Sequence, residues 1–537
     1  MTSPTSTGPS VPVETELKLR GDPEALLRLW QTLPQAASIA AAPKIKDLEN
    51  VYYDTADLRL RKRGLAFRIR RDGTRFIQTV KTGDTASSAV FSRGEWEGEV
   101  PSLEPQPDII DNPEIRAALG LILPGELRPV FTTRVHREVL KVNGTDSLGR
   151  LKVIEAAFDR GEIEAAGLKE AISEIELELV EGPARALFDL ALTLQDIAPT
   201  SIETRSKSAR GYALATGRKP TWHRAEAVEL TPEMRVDDAL AAILEACLRH
   251  WTANEMAALD GSDPEGVHQL RVGLRRFRSA LSVFGALLPP DHLTWLKTEA
   301  KWAINALGPA RDWDVFQADL LAPLEAYRPD DDALAALRAG AADKQAVAYQ
   351  QVREALSSPR YTRFLLRLGG WLEDRAWHCA ELTAEQDVAL NQPLVDLGNS
   401  LLAKRHRKVL KRGKGFKHLP TAERHELRIA VKKLRYTTEF FRDLFPAKRT
   451  RPYIAALRDL QESLGHLNDV AVAEHLLAEL TQSAGHSKAG AKLQRAAGLV
   501  AGWYDRALLD FEPEMQRTWR SFAATAPFWD ASKKQKA

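Results

Sequence analysis

Two kinds of hydrophobic periodicity divide this chain. Residues 11–215 alternate apolar and polar positions in runs such as VETELKLR, LAFRIRR and EIELELV, and this two-residue period predicts antiparallel strands. Helical pieces interrupt the strands, for example over residues 22–33, where Asp22 and Pro23 supply a start signal. From about residue 225 to 525 apolar residues recur at three- and four-residue steps, which predicts helices.

The change of period sets the expected domain organisation. At 537 residues the chain is too long for one ordinary core. We expect an α+β multidomain protein with an antiparallel β domain followed by an all-α domain. The expected segments are a disordered lead (1–10), a β domain (11–215), a linker (216–224), a helical domain (225–525) and a tail (526–537).

The helical half contains an internal repeat. HQLRVGLRRFRSAL begins at His268 and HELRIAVKKLRYTTEF begins at His425, a spacing of 157 residues (425 − 268). LGPARDWDV and LGHLNDVAV begin at Leu307 and Leu464, each 39 residues after its histidine. Two blocks repeated at one spacing predict a duplicated helical unit.

Composition narrows the class of protein. The chain is 44% hydrophobic and 28% charged, has no apolar run long enough to span a membrane, and begins without a signal-peptide pattern. Its two cysteines show neither disulfide nor metal-ligand spacing, so we expect a cytoplasmic protein with no membrane partner. Lys and Arg against Asp and Glu number 28 to 32 in residues 1–215 and 47 to 41 in residues 216–537. A nucleic-acid binder is not indicated by this balance.

The strands of the β half segregate charge by sign. Glu14, Glu16 and Lys18 share one face of their strand, because side chains alternate along a strand. Further acidic runs and the basic runs FRIR, FIQTVK and RVHREV occupy separate strands. A solvated face accounts for any single strand of this kind. The separation of acids from bases favours instead a closed barrel holding a metal ion and phosphate groups inside.

These segments resemble, in order, the CYTH proteins, also called triphosphate tunnel metalloenzymes. The resemblance runs from ETELK (14–18) through residues 50–70, VK, REV, FDRGE and EIELEL to RSKSARGY (205–212). It implies an eight-stranded antiparallel β-barrel around a charged tunnel, in which triphosphate compounds are hydrolysed or cyclised with Mg²⁺ or Mn²⁺.

The resemblance also implies roles for residues of this chain. The metal ligands would be Glu14, Glu16, Asp159, Glu174 and Glu176. The phosphate ligands would be Lys18, Arg68, Arg70, Lys81, Arg137 and Lys207, with Glu14, Glu16 and Lys81 also catalytic. Arg134 competes with Arg137 for its role, although strand parity places them on opposite faces. Glu95, Glu97 and Glu178 are open between the tunnel and its rim.

In the helical half, each repeat predicts a helix with an apolar stripe beside a basic stripe. Apart from Arg435, which has Glu439 four residues on, the cations of these stripes have no acidic neighbour at i+4, and residues 404–417 add eight Lys or Arg without an acid. A solvated face and a polyanion-binding surface both fit such a run. The two histidines lack a second ligand at metal spacing, so we expect them to donate to an anion or cap a helix.

The repeats resemble the CHAD domain, which implies a helical domain with a basic groove for inorganic polyphosphate. The residues expected to bind it are His268, Arg271, Arg275, Arg278, Lys404, Arg407, Lys408, Lys411, His425, Arg428, Lys432 and Arg435.

The leading functional hypothesis is a metal-dependent triphosphatase that hydrolyses inorganic tripolyphosphate to pyrophosphate and phosphate, with polyphosphate as partner. Association with polyphosphate granules would follow. The alternatives are a nucleoside or thiamine triphosphatase, an adenylyl cyclase of the same fold, or a non-catalytic polyphosphate-binding protein. The acidic set argues against the last, because an anion binder gains nothing from glutamates beside its ligand. Oligomeric state is open.

Overall fold

The computed structural model describes residues 13–36, 38–39, 42–82, 86–87, 90–122, 125–146, 148–379, 381–483 and 488–529. The predicted disordered lead lies outside these ranges, as do residues 530–537 of the predicted tail. The chain forms two compact units, which we call the sheet unit (residues 1–220 and 357–376) and the helical unit (residues 221–356 and 377–537).

The strands all belong to the sheet unit. They are β1 (Val13–Arg20), β2 (Ser38–Ile39), β3 (Lys44–Asp54), β4 (Leu65–Asp72), β5 (Arg75–Thr82), β6 (Ala86–Ser87), β7 (Val90–Val100), β8 (Arg128–Thr145), β9 (Leu151–Ala165), β10 (Leu168–Glu181) and β11 (Ser201–Ile202).

Helices occur in both units, and α1–α5 together with α13 belong to the sheet unit. They are α1 (Pro23–Ala36), α2 (Arg59–Lys62), α3 (Pro113–Leu119), α4 (Arg185–Ile197), α5 (Lys207–Thr216), α6 (Val236–Thr252), α7 (Glu255–Asp260), α8 (Pro264–Phe284), α9 (Pro290–Ala306), α10 (Gly308–Val315), α11 (Ala322–Tyr327), α12 (Asp332–Leu356), α13 (Pro359–Glu373), α14 (Ala384–Asn391), α15 (Leu394–Arg412), α16 (Thr421–Phe441), α17 (Ala447–Ser483) and α18 (Lys488–Ala524). The predicted change from strands to helices is confirmed.

The sheet is antiparallel throughout. Its strand order is β11–β1–β10–β9–β8–β3–β4–β5–β7–β6, and β2 pairs with β8. β1 also pairs with β7, so that β1 has both β10 and β7 as neighbours. The alternation of the sequence sets two different faces: along β1, Leu17 and Leu19 are fully buried on one face, while Glu16 and Lys18 lie on the other.

Helices cover both faces of the sheet. α1 and α4 pack on β10, and α4 also packs on β1, against the apolar face, where Trp30 of α1 lies 5.8 Å from Phe158 between ring centroids. α5 packs on β8, β9 and β10. It approaches so closely that a Cβ on Gly211 would lie 2.2 Å from the Phe131 ring, so glycine is required there. This contact places the N-terminus of α5 beside the polar face.

In the helical unit the first helix of the repeat has the same length in both copies. α8 and α16 each contain 21 residues, and their first residues are 157 apart (421 − 264), as the sequence repeat predicts. Phe284 and Phe441, equivalent in the two copies, pack against each other with ring centroids 6.2 Å apart. The copies then diverge, because α10 runs into a π-helical turn at Phe316–Leu321 whereas α17 is continuous. Within the described ranges no helix is long and apolar enough to cross a membrane.

Candidate functional site

Four strands bring predicted acids and bases of the sheet unit into one row. Lys18 on β1 lies opposite Glu176 on β10, and Glu174 on β10 lies opposite Asp159 on β9. Asp159 in turn lies opposite Arg137 on β8. Directly opposed residues of antiparallel strands point to the same face, so these side chains are neighbours on what we call the charged face.

Three carboxylates of the charged face form a compact cluster. Asp159, Glu174 and Glu176 are all buried, and one oxygen from each lies within 4.8 Å of the others. Hard divalent cations such as Mg²⁺ and Mn²⁺ prefer several carboxylate oxygens converging on one point. The donor set of this cluster therefore fits such an ion.

The structure describes the side chain of Glu16 in the ETELK segment, but only the backbone of Glu14. Glu16 is buried, and its Oε2 lies 3.2 Å from Lys18 Nζ, so it belongs to the charged face beside the three-carboxylate cluster. The backbone of Glu14 pairs with Arg93 of β7, whereas its side chain lies outside the described part of the chain.

Three cations interleave with the carboxylates. Arg137 donates to both oxygens of Asp159, at 2.7 and 2.6 Å, and also to Glu176. Lys18 also donates to Glu176. Lys207 Nζ lies 2.6 Å from Asp159 and 2.9 Å from Glu176, and it also bonds Glu174. The cluster thus holds nearly balanced charge in a buried place.

Electrostatics keeps these groups ionised. Burial opposes ionisation of Glu176, but Lys18, Lys207 and Arg137 outweigh it and hold the pKa of that carboxyl well below its usual range. Burial likewise opposes ionisation of Asp159, yet Lys207 and Arg137 lower its pKa. Glu176 and Asp159 are therefore ionised at neutral pH.

Lys207 reaches the cluster from a helix rather than a strand. It is the first residue of α5, whose N-cap Ser206 accepts a hydrogen bond from the Ala209 amide at 3.0 Å. The acids around Lys207 overcome its burial and raise the pKa of its ammonium group. The packing of α5 on β8, β9 and β10 decides this position.

A second basic group lies on β4 and β5. Lys81 Nζ is 2.8 Å from Glu95, which also lies 3.5 Å from Arg68, and Arg70 Nε donates to Asn50 at 3.1 Å. Arg68, then burial, then Arg137 lower the pKa of Arg70 to about 10. The pKa of Arg70 is lowered because Arg68 on β4 and Arg137 on β8 lie close to it. Cations that converge in this way suit the binding of a polyanion.

The remaining candidates of the β half separate by face. Arg134 is exposed and pairs with Glu49 and Glu164, at 3.3 and 2.6 Å, on the face opposite Arg137. Glu97 is exposed and accepts a hydrogen bond from the Thr79 hydroxyl at 3.0 Å. Glu178 is half-buried and lies opposite Glu16 and Glu155 on neighbouring strands.

Sequence reasoning missed Arg210, which holds Glu174 in place. Its guanidinium is buried and donates to Glu174 at 2.9 Å, to Glu170 at 2.8 Å and to the Ala171 carbonyl at 2.6 Å. Arg210 lies three residues after Lys207 in RSKSARGY, and this i,i+3 spacing on a helix was the available signal.

We expect Arg210→Met to destabilise the edge of the cluster by about 3 kcal/mol, because it leaves the buried Glu174 charge with one cation fewer. Native-state hydrogen exchange of β10 amides measures this loss. Lys169→Met removes an exposed cation of the same strand and should leave the exchange unchanged. Equal exchange in the two variants would contradict the assignment.

In the helical unit the first repeat gathers cations around His268. Arg271 is buried, donates to the Ile304 carbonyl at 3.1 Å, and its Nε finds no hydrogen-bond partner among the described residues. Burial, then Arg275, lower the pKa of Arg271 to about 10, and Arg311 also contributes. Arg311, from the LGPARDWDV block, was not predicted as a ligand, although repetition of that block marks it.

His268 is half-buried in the same group. Burial, then Arg311, lower the pKa of its imidazole to about 4, with Arg275 and Arg271 acting in the same direction, and its Nδ1 is buried without a partner among the described residues. His268 is therefore neutral at pH 7, and its Nδ1 and the Nε of Arg271 are buried polar atoms close to the same group of cations.

We expect His268 to weaken the helical unit in acid. The unfolded chain takes up the imidazole proton near the ordinary pKa of 6.5 and the folded chain only near 4, so the free energy of unfolding falls as the pH falls between these values. Histidine-ring NMR of wild type and His268→Gln should locate one midpoint near 4. A midpoint near 6.5 would show that the cations do not surround this ring.

The second repeat is not an exact copy of this group. His425 is exposed, Arg428 and Lys432 are half-buried, and Arg435 pairs with Glu439 at 2.7 Å. The residue equivalent to Arg311 is Asn468 (311 + 157), whose side chain lies outside the described part of the chain. In the first repeat, Arg278 is exposed.

The basic run of residues 404–417 divides into structural and exposed cations. Arg405 donates to the Lys433 and Ser282 carbonyls at 2.8 and 2.9 Å, and Arg412 donates to the Glu426 carbonyl at 2.7 Å. The exposed members on α15 are Lys404, Arg407, Lys408 and Lys411. Burial, then Lys408, lower the pKa of Lys433 on α16, which sequence reasoning did not include. The exposed cations therefore extend onto α16.

Comparison with known proteins gives a family for each half. Residues 13–212 match the CYTH domain and residues 242–478 match the CHAD domain. The chain is 33% identical over 205 residues to an inorganic triphosphatase of Haemophilus influenzae, over 38% of this chain and 55% of that protein. It thus spans about half the length of this curated relative.

Solved structures also resemble parts of the chain. The CHAD domain from the plant Ricinus communis is 34% identical, with a TM-score of 0.49, over 57% of this chain and 98% of that one. PptA from Streptomyces chartreusis is 16% identical, with a TM-score of 0.40, over 53% of this chain and 100% of that one. By the two family matches, the chain belongs to the proteins in which an N-terminal CYTH domain is followed by a CHAD domain.

Proposed function

We propose that the sheet unit is a metal-dependent inorganic triphosphatase that converts tripolyphosphate and water to pyrophosphate and phosphate. The observation that carries the proposal is the buried cluster in which Asp159, Glu174 and Glu176 alternate with Lys18, Arg137 and Lys207. Acids alone would suit a cation and bases alone an anion. A substrate that brings phosphate and metal together needs both.

The proposal includes the predicted eight-stranded barrel. The pairing of β1 with both β7 and β10 supports it, because a strand with a neighbour on each side has no free edge. A tunnel of this kind would place the cations of β4 and β5 across from the carboxylate cluster. Arg68, Arg70 and Lys81 would then bind one end of the substrate and Lys18, Arg137 and Lys207 the other.

Residue roles follow from the chemistry of the groups. Asp159, Glu174 and Glu176, with Glu14 and Glu16, would hold Mg²⁺ or Mn²⁺, which when bound offsets phosphate charge and polarises the phosphoryl group. The cations would bind phosphate oxygens and stabilise the charge that develops on the leaving pyrophosphate. A carboxylate of the cluster would orient the attacking water. Positioning and electrostatics suffice for phosphoryl transfer, so no protein nucleophile is required.

We also propose that the CHAD domain binds inorganic polyphosphate. The cation group around His268 and the exposed cations of α15 support this, because both present positive charge without enough acid to neutralise it. A flexible polyanion gains most of its affinity from such charges. The polyphosphate would therefore concentrate near this protein without base or sugar recognition.

A substrate panel tests the proposed activity. Phosphate release from tripolyphosphate, ATP, thiamine triphosphate and long-chain polyphosphate should be measured with Mg²⁺ and with Mn²⁺. We expect tripolyphosphate to be hydrolysed fastest and chelation of the metal to stop the reaction. Comparable rates on ATP would contradict an inorganic substrate, and pyrophosphate with cyclic AMP as products would indicate a cyclase.

A further inference from the structure

In the sequence, the helix α13 lies between the two helical repeats, but in the structure it belongs to the sheet unit. Its apolar side is buried, whereas Arg360 and Arg367 are exposed and Arg363 is half-buried along the other side, which is typical of an amphipathic helix packed on a core. The buried members include Tyr361, Phe364, Leu365, Leu368, Trp371 and Leu372. The sheet unit is therefore built from two separate parts of the sequence.

Small residues let α13 approach α4 closely. A Cβ on Gly369 would lie 2.2 Å from the Phe188 ring, and one on Gly370 would lie 2.9 Å from the Arg185 side chain. Two ion pairs flank this contact: Arg363 bonds Asp196 at the end of α4, at 2.5 Å, and Arg150 bonds Asp374 just after α13, at 2.7 Å. Such a contact requires a fitted position rather than loose docking.

A chain of hydrogen bonds leads from α13 to the charged face. The buried Thr362 hydroxyl donates to the Thr200 carbonyl at 2.9 Å, immediately before β11. β11 pairs with the end of β1, and the Glu203 amide then donates to the Lys18 carbonyl at 2.9 Å. The same Glu203 carboxylate bonds Arg205 at 3.0 Å. Few covalent and hydrogen bonds thus separate Thr362 from the backbone of Lys18.

We propose that α13 is a positioning element of the triphosphatase site, and that Thr362 acts through β11 to fix the main chain at Lys18. Its effect on turnover rests on the proposed function, whereas its effect on β1 does not. Lys18 on β1 donates to Glu176 on β10, so a shift of β1 moves this cation, together with Glu16 of the same strand, relative to the carboxylate cluster. Displacement of a binding group by about 1 Å costs about 10²-fold in rate when the geometry is productive.

The test compares Thr362→Val with Thr362→Ser in the full-length chain. Valine keeps the shape and removes the donor to Thr200, and serine keeps the donor. We expect Thr362→Val to raise KM for tripolyphosphate at least threefold and to speed hydrogen exchange in residues 13–20 and 200–205. In Thr362→Ser, the KM and the exchange rates should stay within twofold of the wild-type values.

A pair of glycine variants tests the role of α13 independently of Thr362. Gly369→Ala forces α13 away from Phe188 and should reproduce the faster exchange of β1, whereas Gly498→Ala, on an exposed site of α18 with nothing near its Cβ, should match wild type. Unchanged hydrogen exchange at residues 13–20 in both Thr362→Val and Gly369→Ala would overturn the proposal. An equal rise of KM and of exchange in Thr362→Ser and Thr362→Val would also overturn it. Absence of turnover in the wild type would refute the proposed function, while the exchange data still decide the role of α13.

Discussion

Glu176→Gln should lower phosphate release from tripolyphosphate by about 10³-fold, because this carboxylate is the centre of the charged cluster. It is contacted by Lys18, Arg137 and Lys207 and belongs to the three-carboxylate group that fits a divalent cation. Glutamine keeps the shape of the side chain and removes its charge. The variant therefore weakens metal binding and leaves three cations with fewer acids to orient them.

Two measurements separate these consequences. Titration of Mn²⁺ followed by electron paramagnetic resonance should show weaker binding by Glu176→Gln, and near-ultraviolet circular dichroism should show whether the sheet unit keeps its packing. Glu164→Gln is the matched control, since Glu164 lies on β9 and pairs with exposed Arg134 on the opposite face. It should keep wild-type activity. If folded Glu176→Gln keeps more than a tenth of the wild-type activity, the assignment of Glu176 as a metal ligand is contradicted.

The double variant Arg275→Gln/Lys432→Gln should weaken binding of long-chain polyphosphate about tenfold or more in low salt. The two residues are equivalent in the repeats (432 − 275 = 157) and carry the basic stripes of α8 and α16. Loss of two cations removes long-range attraction to a polyanion. The difference from wild type should shrink as salt rises, because the Debye length falls to about 10 Å at 0.1 M.

A control variant with the same loss of charge outside the repeats separates a binding site from an effect of net charge. Arg458→Gln/Arg506→Gln removes two exposed cations that already have acidic partners, Asp459 and Asp510, and should bind polyphosphate as wild type does. Tripolyphosphate hydrolysis should be unchanged in both double variants. Equal weakening in the two would mean that net charge alone drives binding, which contradicts a site at the repeats. A salt-independent loss would contradict an electrostatic surface.

Much of the charged face could be predicted from the sequence. Alternation along a strand fixes which residues share a face, so Glu16 with Lys18, and Glu174 with Glu176, could be grouped without coordinates. The same parity places Arg134 and Arg137 on opposite faces, as they are in the structure. The roles of these residues in turnover stay predictions, since geometry alone does not measure chemistry.

Other parts of the site depended on long-range packing. Arg210 reaches the cluster only because α5 docks over β8, β9 and β10, and the sequence of a helix does not state where it will dock. Lys207 depends on the same docking, and its expected role came from the CYTH resemblance rather than from the helix pattern. Arg311 joins His268 and Arg271 through the fold of the first repeat. The basic run of residues 404–417 looks uniform in sequence, yet Arg405 and Arg412 make backbone contacts while their neighbours remain exposed.

By itself the sequence determined the local features of this protein: the strand and helix regions, the duplication at a spacing of 157 residues, and the side chains that share a face. These follow from periodicity, which depends only on neighbouring residues. The tertiary structure decided strand order, the convergence of acids from β9 and β10 with cations from β1, β8 and α5, and the placement of α13 in the sheet unit. Such contacts join residues far apart in the chain, and their free energy comes from the burial and pairing of groups that no local pattern brings together.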